Sequence, residues 1–318
     1  MRLANDNGSV LILVYHSVVN SLDNPFFKKN QIEKKVFEKH LRILRNKFNV
    51  TSLGAYSESL KNKENSKVQK SVILTFDDGY GDNFSNSYGL LLKHKIPATI
   101  FLTTDFIDKK SVPLPDIISY VYNKYQNSPI LRKIISKLNP GSKNQNLNAS
   151  LIDRFIENTS SMSPKQRTQV SNSLMSGHKL NKNFFDDLML NWEQVKDMDS
   201  SGLVTFGSHS KTHPVLSKLA KKESYNEIAS SKRRIERWLK KDVRLFSFPY
   251  GNENCFSERE IEILKAAGYD CAVTWINGMN NSDSNPFMLK RVSPSSNLLK
   301  FQMKLKHYDL FQKIKSLV

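Results

Sequence analysis

Cysteine is scarce in this chain: Cys255 and Cys271 are the only two in 318 residues. Two cysteines cannot build a disulfide framework, and their spacing is not that of a zinc knuckle. Long apolar runs are also missing. A membrane span needs roughly 18 consecutive apolar residues, whereas the best run here, Val10 to Val14, stops at Tyr15 and His16. No basic, then apolar, then small-residue pattern stands at the N-terminus, so no signal peptide is expected. These absences set the expectation of a reduced, cytoplasmic setting, with peripheral contact at the inner face of the membrane left open. An Arg-rich block is lacking too, as is any nucleic-acid-binding motif, and no nucleic-acid partner is expected.

What is abundant is positive charge. Lys and Arg total 48 against 30 Asp and Glu, a net +18 spread along the whole chain. Such a balance favours acidic partners, among them an anionic membrane surface or an anionic glycan. The hydrophobic fraction of 39% and aromatic fraction of 10% are those of a globular protein.

Short β-branched runs alternate with helical patterns. Residues 10–15 (VLILVY), 71–76 (SVILTF), 98–103 (ATIFLT), 203–208 (LVTFGS), 243–248 (VRLFSF) and 270–275 (DCAVTW) read as buried strands. Between them, Val36, Phe37, His40, Leu41, Leu44 and Phe48 share one helical face, and SERE at 257–260 is a capping box for a helix that stops at Gly268. Alternation over this length predicts a parallel sheet or barrel with helices outside. Residues 109–190 break the rhythm. They hold helical pieces separated by NPGSKNQNLN (139–148) and SMSP (161–164), which predicts a helical insertion between a first barrel part, 1–108, and a second, 191–295. Residues 296–318 read as an amphipathic basic helix, with Leu298, Phe301, Leu305, Tyr308 and Phe311 as its apolar stripe. That helix either packs on the barrel or lies on a membrane surface.

Two stretches carry chemistry. TFDDGY (75–80) puts two carboxylates side by side at the end of a strand, where they repel unless a cation lies nearby. HSKTH (209–213) follows another strand, and its spacing brings His209 and His213 to one side of a tight loop. Two histidines and one carboxylate, from Asp77 or Asp78, form a donor set for hydrolytic zinc or non-haem iron. Both stretches stand at C-terminal strand ends, where barrels carry their active sites.

TFDDGY and HSKTH resemble the first two signature motifs of the polysaccharide deacetylases, the NodB-homology or carbohydrate esterase family 4 proteins. FPYG (248–251) resembles the third motif and AVTW (272–275), more weakly, the fourth; the resemblance covers residues 10–104 and 192–292. It implies a distorted parallel (β/α) barrel and a divalent metal, with zinc as the first expectation. It also implies removal of acetyl groups from N-acetylhexosamines of a polysaccharide or a lipid-linked glycan precursor. Carried over, Asp77 is the catalytic base, and Asp78, His209 and His213 are the metal ligands. The backbone N–H of Tyr250, aimed by Pro249, steadies the oxyanion. The family's base-orienting Arg is replaced at the matching position by Ser247, so Arg291 is the candidate guanidinium. The usual C-terminal catalytic His is not clear, His307 lying in the tail. LVYHSV (13–18) resembles the Tyr-His start of a branch acting on poly-N-acetylglucosamine, which makes His16 the candidate general acid. An O-acetyl esterase and an inactive glycan-binding barrel are the alternative readings.

Overall fold

The computed structural model describes residues 9–62, 71–139, 141 and 145–305. Strands β1 (Val10–Tyr15), β4 (Asn49–Val50), β5 (Ser71–Phe76), β6 (Ala98–Leu102), β7 (Val204–Ser208), β8 (Leu245–Ser247), β9 (Cys271–Asn277) and β10 (Leu289–Arg291) form one parallel sheet. Its order is β1-β5-β6-β7-β8-β9-β10, with β4 paired to β5. Val14 N–H donates to Val292 O (3.1 Å) and Val292 N–H to Ile12 O (2.9 Å), which brings the last strand back beside the first. The result is a nearly closed (β/α) barrel. A two-stranded parallel ribbon of β2 (Ser17–Val19) and β3 (Gln31–Glu33) stands at the end of β1.

The strand sequences explain the layering. Side chains alternate faces along a strand. Val10, Ile12, Ile73, Phe101, Leu245, Val273 and Leu289 therefore fill the barrel interior. Their neighbours Leu11, Leu13, Val72, Leu74, Ile100 and Phe246 pack outward under helices. With both faces covered, the strands read as continuous apolar runs rather than as alternation. The covering helices include α1 (Lys34–Lys47), α2 (Leu53–Lys61), α3 (Gly89–His94) and the short α4 (Thr104–Ile107). Helices α9 (Trp192–Ser200), α10 (Lys221–Leu239) and α11 (Glu258–Ala266) follow the insertion; at the start of α11 the Glu260 carboxylate accepts from both the N–H and the hydroxyl of Ser257, which is half of the predicted capping box.

Residues 109–190 contain α5 (Leu114–Lys124), α6 (Pro129–Leu138), α7 (Ala149–Asn158) and α8 (Pro164–Gly177). These helices enclose their own apolar cluster, with Ile117, Val121, Leu131, Ile135, Phe155 and Leu174 at its centre. Two backbone bonds moor the end of this layer to the loop after β5: Gly81 N–H to Leu188 O and Leu190 N–H to Gly79 O, each 2.9 Å. Gly81 is required there, because a Cβ would run into the carbonyl of Asp187.

Residues 298–305 are helical. Phe301 and Leu305 are buried, and the Phe301 ring stacks on His40 at 3.7 Å between centroids. The described half of the tail's apolar stripe therefore faces the barrel. His307, Tyr308 and Phe311 lie outside the described residues.

Candidate active site

The two adjacent aspartates are separated by a backbone turn. Asp78 sits at φ 72°, in a three-residue turn closed by Gly79 N–H on Asp77 O at 2.9 Å. This left-handed conformation sends the two carboxylates to different partners. Asp77 meets the guanidinium of Arg291 in a two-pronged ion pair: Nη1 to Oδ1 at 2.8 Å and Nη2 to Oδ2 at 2.7 Å. Arg291 also donates Nε–H to Thr274 O (2.7 Å) and Nη2–H to Ser247 Oγ (3.0 Å), so Ser247 supports the guanidinium instead of supplying one. Both partners are buried. Burial pushes the Asp77 pKa up, but the charges of Arg291 and then His209 outweigh it and hold the carboxyl well below its ordinary value. Asp77 is therefore an ionised carboxylate kept in place, and it is not forced to share a proton with its neighbour.

Asp78 points instead at two imidazoles. Its Oδ1 lies 3.6 Å from His209 Nε2 and 3.4 Å from His213 Nε2, and the two Nε2 atoms are 3.2 Å apart. His209 Nδ1 lies 2.8 Å from Ser247 O. A carbonyl only accepts, so Nδ1 carries the hydrogen and Nε2 presents a lone pair to the cluster. His213 takes its place through a tight loop, at φ 62°, with its N–H donating to Ser210 Oγ (3.0 Å). Burial lowers the pKa of both histidines, for His213 well below the usual range, so both are neutral as metal ligands must be. For Asp78, burial and then the charge of Asp77 raise the pKa well above its ordinary value. Its buried Oδ1 has no hydrogen-bond partner among the described residues. An orphaned carboxylate oxygen facing converging imidazole nitrogens fits a divalent cation in this cluster.

The remaining predicted residues border the same space. Pro249 leads into a second three-residue turn, in which Gly251 N–H donates to Pro249 O (2.7 Å) around Tyr250 at φ 61°. The Tyr250 ring stands 4.8 Å from that of His213. His16, just after β1, has its ring 5.3 Å from that of Trp275, and burial lowers its pKa to about 4 against a smaller upward pull from Asp77. Asn83 Nδ2–H donates to His16 O (2.7 Å), while Asp82 accepts from Ser17 Oγ–H and Val18 N–H. The loop after TFDDGY thus fixes the segment that carries His16. His16, Asp77, Asp78, His209, His213 and Tyr250 line one cavity of about 560 Å³, which also takes in Trp275 and residues of the helical insertion, Arg167 among them.

The polysaccharide deacetylase family profile matches residues 64–137 and 151–272. The chain belongs to the polysaccharide deacetylase family. It is 23% identical over 286 residues to YxkH of Bacillus subtilis (strain 168), whose name places it with the polysaccharide deacetylases; the match takes in 89% of this chain and 71% of that one. Among solved structures, Streptococcus pyogenes deacetylase PplD in complex with acetate superposes with a TM-score of 0.60 at 16% identity, over 93% of this chain and 97% of that chain. The de-N-acetylase from Aggregatibacter actinomycetemcomitans gives 0.58 at 19% identity, over 92% and 99%. At these identities the superpositions speak for the shared barrel. Family membership makes the chain a hydrolase of the class that acts on glycan acetyl groups.

Three residues of this deacetylase's site were not singled out by sequence reasoning. Asn83 and Asp82 lie just beyond TFDDGY, and only the fold shows that they reach back to the β1 segment. Arg167 donates through Nη1 to Tyr250 Oη across 83 positions, from a helix of the insertion. Nothing local in its sequence marks it.

Proposed function

We propose that this polysaccharide deacetylase hydrolyses the N-acetyl group of an amino sugar in a polysaccharide or lipid-linked glycan, with Asp77 as proton acceptor. The observation that carries the reading is the division of labour between neighbouring carboxylates: Asp77 is held ionised by Arg291, while Asp78 is left facing His209 and His213. A divalent ion held by Asp78, His209 and His213, with zinc expected, supplies when bound a Lewis acid that acidifies water and polarises a carbonyl. Asp77 removes a proton from the attacking water as its oxygen bonds to the acetyl carbon. The backbone N–H of Tyr250, aimed by the turn after Pro249, donates to the oxygen that gains charge. His16, neutral in the resting pocket at pH 7, takes up the proton that Asp77 removed from water and delivers it to the sugar nitrogen as the C–N bond breaks. Acetate and the free amine leave. Trp275 is 40% exposed beside His16 and offers an apolar wall for a sugar face.

The de-N-acetylase chemistry named for the Aggregatibacter protein supports this choice over O-acetyl hydrolysis. Contact with an anionic membrane is proposed through the tail, where Leu299 and Met303 are 69% and 59% exposed beside Lys300 and Lys304. The deciding experiment measures metal content of the purified protein together with acetate release from N-acetylated and O-acetylated glycans. Release from O-acetyl substrates alone would overturn the assignment.

A further inference from the structure

The charged side chains around the cavity are each matched to a partner, with one exception. Arg291 is taken up by Asp77. Lys29 pairs with Glu157 at 2.8 Å and Asp153 at 3.3 Å. Asp78 faces the imidazole cluster. Arg167 is the exception. Carried in on α8 of the insertion, its half-buried guanidinium donates to the neutral phenol of Tyr250 and lies 5.4 Å over that ring. Among the described residues it forms no ion pair.

A guanidinium has five N–H donors in a planar fork. One donation to a phenol uses a single donor of that fork, and Arg167 lines the cavity. The nearby walls are apolar, with Phe106, Phe248 and Trp275 lining the same space, and low polarity strengthens any charge pairing inside. The chain's net charge of +18 acts in the same direction, since it attracts anionic molecules from a distance. Long-range attraction and a local unpaired fork select the same ligand chemistry.

We propose that Arg167 makes this site select an acetylated sugar that carries an oxyanion substituent, phosphate or carboxylate, close to the reacting acetamido group. The inference rests on the deacetylase reading for the sugar, whereas the charge preference within the site depends on Arg167. The planar fork suits two oxygens of one oxyanion, and Tyr250 holds it in register from behind.

The test uses the full-length, metal-loaded protein with three probes: N-acetylglucosamine, N-acetylglucosamine 1-phosphate and N-acetylmuramic acid. Calorimetric binding and acetate release are measured for each. The two anionic probes are expected to bind about 10- to 100-fold more tightly than the neutral sugar, as a charge-assisted fork contact gives. Arg167→Gln should bring that ratio close to one. Arg167→Lys should retain part of it, because a point charge remains without the fork. Raising salt should shrink the ratio in the wild type and leave it flat in Arg167→Gln. A phosphate-only or carboxylate-only preference identifies the source of the oxyanion. Equal binding of all three probes by the wild type overturns the proposal. So does an Arg167→Gln protein that loses acetate release on every probe with the ratio intact, since Arg167 would then only position Tyr250. Selective binding of anionic probes without acetate release from them or from any N-acetylated glycan would uphold this inference and refute the deacetylase reading; acetate release without selectivity would do the reverse.

Discussion

Arg291→Met tests the ion pair on which the proton-acceptor assignment depends. The side chains of Arg291 and Asp77 are 1% and 2% exposed, so neither charge is screened by water. Removing the guanidinium deletes two charge-assisted hydrogen bonds to Asp77 and leaves a buried carboxylate beside Asp78. Each such bond contributes about 1.5–3 kcal/mol, and breaking one side of a buried pair costs about 3–5 kcal/mol. Urea unfolding of the wild type, Arg291→Met, Asp77→Asn and the double variant closes a cycle. The single Arg291→Met is expected to lose about 3–5 kcal/mol, and the double variant to recover part of it, for a coupling above about 2 kcal/mol. The coupling has a pH signature. Because Asp77 has a depressed folded pKa, its stabilisation is fully present above the unfolded value of about 3.9 and is lost as pH falls toward the folded one. The coupling should therefore be flat from about pH 5 to 8 and shrink in more acidic solution. A coupling below about 1 kcal/mol, the range of exposed pairs, would refute the reasoning.

His209→Ala and His213→Ala should each lose the metal by elemental analysis, whereas Asp77→Asn should retain it and lose about 10²–10⁴ in turnover. An empty site in Asp77→Asn would reverse the two aspartates' roles. His16→Ala should keep its metal, lose about 10²–10⁴ in rate on N-acetyl substrates and be far less impaired on an activated acetyl ester, whose leaving group needs no acid. Equal losses on both substrates would remove His16 from that role. For the tail, flotation with anionic vesicles should fall when Leu299 and Met303 become Ser and when salt is raised; unchanged flotation would assign the helix to barrel packing alone.

The long barrel strands were legible because burial on both faces leaves an unbroken β-branched run, as in Ser71–Phe76. Strands β2, β3 and β4 were not, since two or three residues such as Gln31–Glu33 contain no period to detect. Strand β10 has a similar problem, because Lys290 between Leu289 and Arg291 is exposed and the segment reads as a charged loop. The cluster of Asp78, His209 and His213 could be foreseen from two short motifs, because the parallel strands of one sheet end on the same side, even with β6 between β5 and β7. Arg291 could only be nominated by what position 247 lacks. Its two-pronged grip on Asp77 depends on sheet closure, which pairs residues 214 positions apart. Arg167 is further still from sequence logic, since its reach depends on how one helical layer docks against a loop.

The two three-residue turns at Asp78 and Tyr250 put non-glycine residues at φ 72° and 61°. Backbone held in such sparsely populated regions costs on the order of 1–3 kcal/mol per residue. At Asp78 a second cost adds to it, the desolvated carboxylate oxygen with no hydrogen-bond partner among the described residues. The chain is thus least comfortable where its ligand atom is presented. Replacing Asp78 with Gly relaxes the turn and removes the orphaned oxygen together, so the metal-free variant should melt at a higher temperature than the metal-free parent. Adding metal should raise the melting temperature of the parent and leave the variant unmoved. The protein would then be a case in which catalytic competence and resilience pull on one residue from opposite sides.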